Sequence, residues 1–272
     1  MRPKLTKRGI EFALHNPLLT LRLLIGRSTY EEALQQQIGK DLDLLRQRAE
    51  GTFQAKNFLQ LPQDTIEEWL ASIAPAKGSS SWRMLGPWHS FLYAAARAAV
   101  PAIVVETGVL YGHSSAAILA ALEHNRAGRL VSVDLPPEQH RSVIVGQQHV
   151  QVGLTSNQLY IGCAIPSPLR SKSSLQLGDS LELLPKIFDE LGPVSMFVHD
   201  SLHTYDHMMT EFHLGYDALK PGGLLISDDI DYNSAWLDFC RSKRENWKAL
   251  SKESSSGERF GFLIKSARAA RG

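Results

Sequence analysis

The sequence predicts an α/β fold in which a doubly wound, mostly parallel sheet of seven strands follows a helical N-terminal extension. Two observations predict it. From residue 85 onward, apolar runs of strand length alternate with segments of helical periodicity. Several of these runs end directly at glycines or acids, as strands do at the edge of a sheet that binds a ligand. Strands that alternate with helices pack as a parallel sheet with helices on its faces.

The region before residue 80 has a different, helical pattern. Apolar residues recur at helical spacing in the segments 29–38, 41–48 and 64–70. The small polar stretch 77–82 is the best candidate for a linker. We therefore assign residues 1–80 to a helical N-terminal extension and residues 81–272 to the sheet domain.

Composition argues against several functional classes. The 272 residues include 29 basic and 28 acidic side chains, a formal charge of +1, so nothing indicates a nucleic-acid footprint. Cys163 and Cys240 stand in no metal-ligand spacing, which predicts no disulfide and favours a cytoplasmic location. The apolar stretch 17–25 is short, carries Arg22 and lacks a cleavage site, so we expect an amphipathic helix and no membrane partner.

The predicted sheet domain has a regular order of elements. Its predicted helices are 88–100, 114–124, one that ends at 191, and 205–219. Its predicted strands are 102–106, 129–134, 174–179, 194–199 and 223–227, followed by an antiparallel pair, 247–253 and 259–265, around the turn 254–257. In such a sheet the carboxyl ends of the parallel strands meet at one edge, where ligands bind.

Acids follow two neighbouring strands of this sheet. Asp200 and His203 come after the fourth predicted strand, and Asp228 and Asp229 end the fifth. Three carboxylates at adjacent strand ends are a ligand set for Mg²⁺, which lowers the pKa of a bound hydroxyl. His203 is then placed to accept the proton. Alternatively, the acids cap the segments that follow them, and Asp231 competes as a metal ligand.

A glycine loop follows the first predicted strand. Gly108 and Gly112 allow the backbone to turn tightly and to approach a ligand closely. Their spacing differs from the G-x-G-x-x-G pattern of dinucleotide-binding proteins. By itself the loop is also compatible with a simple strand-to-helix turn.

Acids after the second and third strands strengthen the case for a nucleoside ligand. Asp134 ends the second strand, where a carboxylate is suited to bind a ribose diol, although it can instead cap the turn at Pro136. Asp179 and Ser180 add polar groups to the same edge, with N-capping of the following helix as the alternative.

These motifs, in this order, resemble those of class I S-adenosylmethionine-dependent methyltransferases. The resemblance rests on Val105-Glu-Thr-Gly-Val-Leu-Tyr-Gly-His-Ser114, Val133-Asp134, Leu177-Gly-Asp179 and Leu219-Lys-Pro-Gly-Gly223, covers roughly residues 85–265, and implies a Rossmann-like fold. Within this superfamily, Asp200, His203 and Asp228-Asp229 resemble the metal-dependent O-methyltransferases of catechol and macrocin type. The catechol type has lysine and asparagine where this chain has His203 and Asp229, which is closer to the macrocin type.

The resemblance implies a role for each of these residues. S-adenosylmethionine would be bound by Glu106, Gly108, Gly112 and Ser114 at its methionine end, by Asp134 at the ribose and by Asp179 and Ser180 near the adenine. Asp200 would lie beside the cofactor and would also bind Mg²⁺ together with Asp228 and Asp229. His203 would be the general base.

We therefore expect a Mg²⁺-assisted O-methyltransferase that acts on a hydroxyl of a sugar or a polyhydroxylated small molecule. The alternatives are a metal-independent methyltransferase, a non-catalytic S-adenosylmethionine-binding protein and, disfavoured by the glycine spacing, an NAD-dependent oxidoreductase. The long segment 135–173 and the N-terminal helices are expected to shape the acceptor pocket, unless the segment only packs on the surface. The same helices are the candidate contact of a homodimer.

Overall fold

The computed structural model of the protein describes residues 30–50, 55–74, 86–136, 142–145, 148–151, 160–252 and 258–267. Three features of the sequence lie outside these ranges: the apolar stretch 17–25, the predicted linker 77–82 and the predicted turn 254–257.

Helices make up much of the described chain. The α-helices are α1 Tyr30–Glu50, α2 Gln63–Ile73, α3 Pro87–Ala99, α4 His113–Asn125, α5 Ser180–Leu191, α6 Tyr205–Ala218 and α7 Ala235–Lys243. Two short 3-10 helices span Ala55–Gln60 and Ser167–Lys172. Residues 30–38 and 41–48, which lie in the two segments of helical spacing, belong to the single helix α1. In the described ranges, no helix is both long and apolar enough to span a bilayer.

The strands form one large sheet and one small one. They are β1 Ile103–Thr107, β2 Arg129–Asp134, β3 Ser142–Val145, β4 Gln148–Gln151, β5 Ser173–Leu177, β6 Val194–His199, β7 Leu219–Ser227, β8 Trp247–Ser251 and β9 Arg259–Ile264. The seven-stranded sheet has the order β5-β2-β1-β6-β7-β9-β8, and β3 pairs with β4. All pairings in the large sheet are parallel except those of β9 with β7 and β8. The predicted doubly wound, mostly parallel sheet is confirmed.

The sheet is covered by helices on both faces. Val104 and Val105 are adjacent in β1, yet they are fully buried in two different hydrophobic clusters, because successive side chains of a strand point to opposite faces. Helices α1 to α4 contribute to the first cluster, and α5 to α7 contribute to the second. The described part of the predicted N-terminal extension, including Ile38, Leu45 and Ile66, therefore shares a core with α3 and α4.

The order of strands reverses between β1 and β6, which creates a crevice at the carboxyl edge of the sheet. From β1 the chain moves outward to β2 and β5, and then returns to β6 on the other side of β1. Backbone bonds continue beyond the strands: the Asp200 amide donates to the Thr107 carbonyl, and the Asp228 amide donates to the His199 carbonyl, each at 2.9 Å. The ends of β1, β6 and β7 therefore lie side by side, at a switch point where open α/β sheets bind ligands.

Some elements differ from the sequence-based expectation. Helix α7 and the β3–β4 hairpin were not predicted from the sequence. Strand β7 begins at Leu219 rather than at residue 223, and its pairing with β6 shifts register between Val194 and Met196. The irregularity explains the late predicted start, since Pro221 and two glycines interrupt the apolar pattern there.

Candidate active site

The glycine loop joins β1 to α4 and lies against the end of β6. Gly108 has a φ of +80°, and a Cβ at this position would overlap the backbone carbonyl of Asp200. Gly112, with a φ of +90°, precedes the first turn of α4, and Ser114 in that turn is buried. The conformation and the close approach both require glycine at position 108.

Glu106 lies beneath this loop and is fully buried on β1. Its Oε2 accepts hydrogen bonds from Ser115 Oγ at 2.6 Å and Ser132 Oγ at 2.9 Å, while Oε1 has no hydrogen-bond partner among the described residues. Burial raises the pKa of Glu106, and the serine hydroxyls oppose that shift. Glu106 therefore ties β1 to α4 and β2.

Asp134 is bound to the backbone of the same loop. Its Oδ2 accepts from the amides of Val109 at 2.9 Å and Leu110 at 2.7 Å, and its Oδ1 accepts from the Leu135 amide at 2.7 Å. The carboxylate therefore fixes the loop and also caps the turn after β2, the alternative weighed from the sequence.

Asp179 and Ser180 are placed differently from each other. Asp179 is exposed, and its Oδ1 accepts from the Leu181 amide at 2.8 Å, so it is the N-cap of α5. Ser180 is buried and donates a hydrogen bond to Oε1 of Glu211 on α6. The structure thus gives Asp179 the capping role and directs Ser180 into the interior network around Glu211.

Glu211 is a buried carboxylate that joins four elements behind the site. Its other partners are Thr107 Oγ1 at 2.6 Å, His199 Nδ1 at 2.7 Å, Ser201 Oγ at 2.9 Å and His207 Nε2 at 2.9 Å. Burial acts against its ionised form, but the bonds from His199 and His207 outweigh it and hold the pKa of Glu211 well below the usual range. The network fixes the relative positions of the strand ends β1 and β6.

The three predicted metal ligands lie at the ends of β6 and β7, and a lysine lies between two of them. Lys252, directly after β8, places its Nζ 2.9 Å from the Asp228 carboxylate and in contact with Asp229 Oδ1. Asp229 has a φ of +45°, a left-handed conformation that aspartate tolerates better than most residues. Because neighbours in an extended chain point to opposite sides, this turn allows consecutive carboxylates to reach one ammonium.

This arrangement does not fit a divalent cation. Three carboxylates suit Mg²⁺ by their chemistry, but the ammonium of Lys252 already occupies the space that Asp228 and Asp229 share. In the part of the chain that the structure describes, no group of three or more His, Cys, Asp or Glu side chains is arranged to hold a metal ion. The side chain of Lys252 is only 17% exposed, so it is held in the site rather than in solvent.

Burial and charge shift the pKa values in this cluster. Burial and the nearby Asp228 carboxylate raise the pKa of Asp200 well above its usual value. Burial raises the pKa of Asp228 to about 7, although Lys252 lowers it in part. For Lys252, burial favours the neutral form, but Asp228 and Asp229 outweigh burial and raise its pKa above the ordinary value. Lys252 is therefore a permanent cation in this site.

His203, the predicted base, follows the end of β6 and lies among aromatic rings, and it is not one of the residues that line the cavity over the glycine loop. Its ring centroid is 5.1 Å from that of His199 and 5.5 Å from that of Tyr232. Its Nε2 is buried and has no hydrogen-bond partner among the described residues. Burial, with help from the charges of His199 and Lys252, lowers the pKa of His203 to about 3. The imidazole is therefore neutral at pH 7, and it is a weak proton acceptor.

A cavity of about 360 Å³ opens over the glycine loop and the acids. Its walls come from the start of α3, the loop and first turn of α4, the ends of β6 and β7, and residues 252 and 258. Two of the lining residues carry a buried side-chain atom without a hydrogen-bond partner in the described chain, Trp88 Nε1 and His113 Nε2. Buried polar groups are normally paired, so these atoms indicate a place for a polar ligand.

Sequence reasoning missed several residues of this cavity. Trp88 and His89 lie in the first turn of α3, where nothing but the local helical pattern marked them. Burial lowers the pKa of His89 to about 3 and that of His113 to about 4, so both rings are neutral at pH 7. Lys252 and Glu211 also went unnoticed, because a single charge in a hairpin or on a helix resembles an ordinary solvated residue.

Part of the chain matches a known family model. Residues 105–230 match a family model described as a methyltransferase domain. This range contains the glycine loop, Asp134, Asp200 and the Asp228-Asp229 pair. None of the curated protein sequences matches the chain significantly.

Solved structures with a similar chain trace include two O-methyltransferases. The first, from Bacillus cereus and in complex with SAH, is 17% identical over 77% of this chain and 94% of its own, with a TM-score of 0.48. The second is TomG from Streptomyces achromogenes, involved in tomaymycin synthesis and in complex with SAM. It is 16% identical over 82% of this chain and 89% of its own, with a TM-score of 0.48.

Proposed function

We propose that this chain is a class I S-adenosylmethionine-dependent methyltransferase and that it transfers the methyl group to a hydroxyl oxygen of a small molecule; the match of residues 105–230 to a methyltransferase domain and the strand order of the sheet support this. The cofactor lies over the glycine loop, with its ribose near Asp134. The acceptor, a sugar or a polyhydroxylated compound, lies in the cavity between α3 and the ends of β6 and β7.

The observation that carries this proposal is the set of unsatisfied polar groups around the cavity. Trp88 Nε1 can donate a hydrogen bond, while a neutral His113 ring can accept one. Hydroxyl groups both donate and accept, so a polyhydroxylated acceptor satisfies this mixture better than an apolar molecule or an anion does. A site built to bind hydroxyls rejects analogues that lack them, because its buried polar groups would stay unpaired.

Catalysis of methyl transfer depends mainly on the relative positions of the acceptor oxygen and the methyl group. The acceptor oxygen attacks the methyl carbon in line with the carbon–sulfur bond; that bond breaks, and its electron pair stays on sulfur as S-adenosylhomocysteine. The glycine loop, fixed by Asp134 and Glu106, sets the position of the cofactor against the cavity. Holding the two reactants in this geometry lowers the barrier without any covalent intermediate.

Asp200 is the group we favour as acceptor of the hydroxyl proton. Asp200 lines the cavity, and its backbone lies against the glycine loop at Gly108. Its raised pKa makes it a stronger base than an ordinary carboxylate. His203, the base expected from the sequence, is the second candidate, since its buried Nε2 is unpaired among the described residues. No step is routed through a metal, because the arrangement does not fit one.

Calorimetric titration of the purified protein tests the cofactor first. We expect S-adenosylmethionine to bind and NAD to give no heat, and Asp134→Ala to weaken cofactor binding at least about tenfold with the fold retained by circular dichroism. Binding of NAD alone, or of neither compound, refutes the proposal.

Release of S-adenosylhomocysteine in the presence of polyhydroxylated acceptors tests the reaction. Loss of a general base costs about 10² to 10⁴ in rate, so Asp200→Asn is expected to lower kcat in that range, with His213→Gln on α6 as the control. If His203→Gln has this effect and Asp200→Asn does not, His203 is the base. Cofactor binding without release by any acceptor supports the non-catalytic alternative instead.

A further inference from the structure

We propose that Lys252 supplies the fixed positive charge of this active site, and that methyl transfer by this protein consequently needs no divalent cation. The inference deepens the function proposed above and rests on it. It starts from the observation that Asp228 and Asp229, which were expected to bind a metal ion, already pair with Lys252 of the same chain.

The position of Lys252 is fixed at both ends of the residue. Its backbone amide, directly after β8, donates to the Glu258 carbonyl at 2.9 Å, and its Nζ contacts Asp228 and Asp229 at the end of β7. Lys252 and Asp228 both line the cavity, together with Asp200. The ammonium therefore lies at the wall of the acceptor site, and the backbone at residue 252 does not have to move to bring it there.

A divalent cation at this place would have to displace the ammonium. Asp228 and Asp229 side chains are only 9% and 19% exposed, and Lys252 is 17% exposed, so all three charges are largely removed from water. A buried charge that loses its partner is strongly destabilising. Binding of Mg²⁺ would therefore break an existing pair and leave a lysine without its counter-charges, which opposes metal binding.

The ammonium can also serve the acceptor oxygen directly. It has three N–H donors, and within the described residues its side-chain bonds go to Asp228 and Asp229. Its Nζ is 2.9 Å from both oxygens of Asp228, so one N–H shared between these two oxygens and one directed at Asp229 leave a third for the acceptor oxygen, whose negative charge grows as its proton moves to Asp200. The new oxygen–carbon bond then forms while the carbon–sulfur bond breaks. A donor already held in position stabilises this charge without reorganisation at the moment of reaction.

The test uses Lys252→Met, which keeps the length and removes the charge, with Lys243→Met as the matched control. Lys243 on α7 also pairs with a carboxylate, that of Asp217 at 3.1 Å, but near the end of α6 and away from the cavity. MgCl₂ is titrated into chelator-treated wild type and into both variants without cofactor. S-adenosylmethionine binding and methyl transfer, with and without EDTA, are then measured on the same samples.

We expect no Mg²⁺ binding to wild type and methyl transfer that EDTA does not change. Lys252→Met is expected to bind Mg²⁺ and, before Mg²⁺ is added, to lower kcat at least about 100-fold with cofactor affinity retained, while Lys243→Met behaves as wild type. Three results overturn the proposal: Mg²⁺ binding to wild type that Asp228→Asn abolishes, loss of wild-type activity in EDTA, or wild-type kcat in Lys252→Met.

The two wild-type measurements keep the proposal open to refutation even if Lys252→Met does not fold. Failure of the proposed function is seen separately, as absence of S-adenosylmethionine binding to wild type, whereas the Mg²⁺ titration reports on Lys252 alone.

Discussion

At the scale of single residues, Gly108 and Gly222 allow the cost of backbone strain to be separated from the cost of a clash. Both have positive φ, +80° and +76°, but only at Gly108 would a Cβ meet another backbone, that of Asp200, whereas nothing lies within 4 Å at Gly222. We expect Gly222→Ala to lower the free energy of unfolding by about 1–2 kcal/mol and Gly108→Ala by at least about 3 kcal/mol.

Urea unfolding of the two variants measures this difference. The cofactor titration should respond as well, since the loop must shift to admit the methyl group: Gly108→Ala is expected to lose S-adenosylmethionine binding, and Gly222→Ala to keep it. Equal destabilisation of the two proteins contradicts the close approach of the loop to Asp200.

The same scale shows what a sequence can and cannot reveal about a site. Asp200, Asp228 and Asp229 were found because they follow apolar strands, and the structure brings their backbones to one edge of the sheet. Lys252 was not found, because it is 24 residues from Asp228 and its hairpin gave no sign of where a flexible side chain would reach. The sequence therefore suggested a Mg²⁺ ion as the partner of these carboxylates, because it did not show that the Lys252 ammonium lies in the same place.

At the scale of elements, the N-cap of α5 gives a prediction that separates two roles of one side chain. Asp179→Ala removes the bond to the Leu181 amide and should lower the free energy of unfolding by about 1 kcal/mol. Asp179→Ser keeps a capping oxygen and should retain the stability of wild type. Thermal or urea unfolding measures both, and an unchanged Asp179→Ala protein argues against the cap.

Cofactor titration of the Asp179→Ser protein then isolates the adenine contact that the resemblance implies. Weaker binding of S-adenosylmethionine at full stability supports the contact, since the helix itself is intact. Unchanged binding assigns Asp179 to capping alone.

Elements with strong local signals were predicted closely, and those held by tertiary packing were not. Strands β2 and β6 have the predicted bounds, since both are apolar runs with clear ends. Helix α7 buries Trp236 and Phe239 against α6, but its nine residues carry too little periodicity to mark a helix. The edge strand β5, predicted at 174–179, spans Ser173–Leu177 and is largely exposed.

At the scale of the whole molecule, we expect the free energy of unfolding to depend on pH through the ionisation of Asp41, which is buried on α1. Asp41 is 1% exposed; Gln37 Nε2 donates to its Oδ1 at 3.0 Å, and its Oδ2 has no hydrogen-bond partner among the described residues. Burial raises its pKa from 3.8 to about 7, against the opposing effects of Gln37 and Lys40.

The sign of the effect follows from proton uptake. Between about pH 4 and 7 the folded protein keeps a proton on Asp41 that the unfolded chain has released, so the contribution of this group to stability falls as pH rises through that window. Asp41→Asn cannot ionise and escapes the loss. Relative to wild type, the variant should therefore gain stability from pH 4 to pH 8, by at most about 4 kcal/mol.

Urea unfolding at a series of pH values measures this difference, and Asp43→Asn on the same helix is the control, since Asp43 is exposed. Comparing each variant with wild type at the same pH cancels the titrations of the active-site acids and histidines, which all three proteins share. A difference between Asp41→Asn and wild type that does not change with pH would mean that Asp41 is solvated in the folded protein. The N-terminal helices would then be looser on the sheet domain than their shared core indicates.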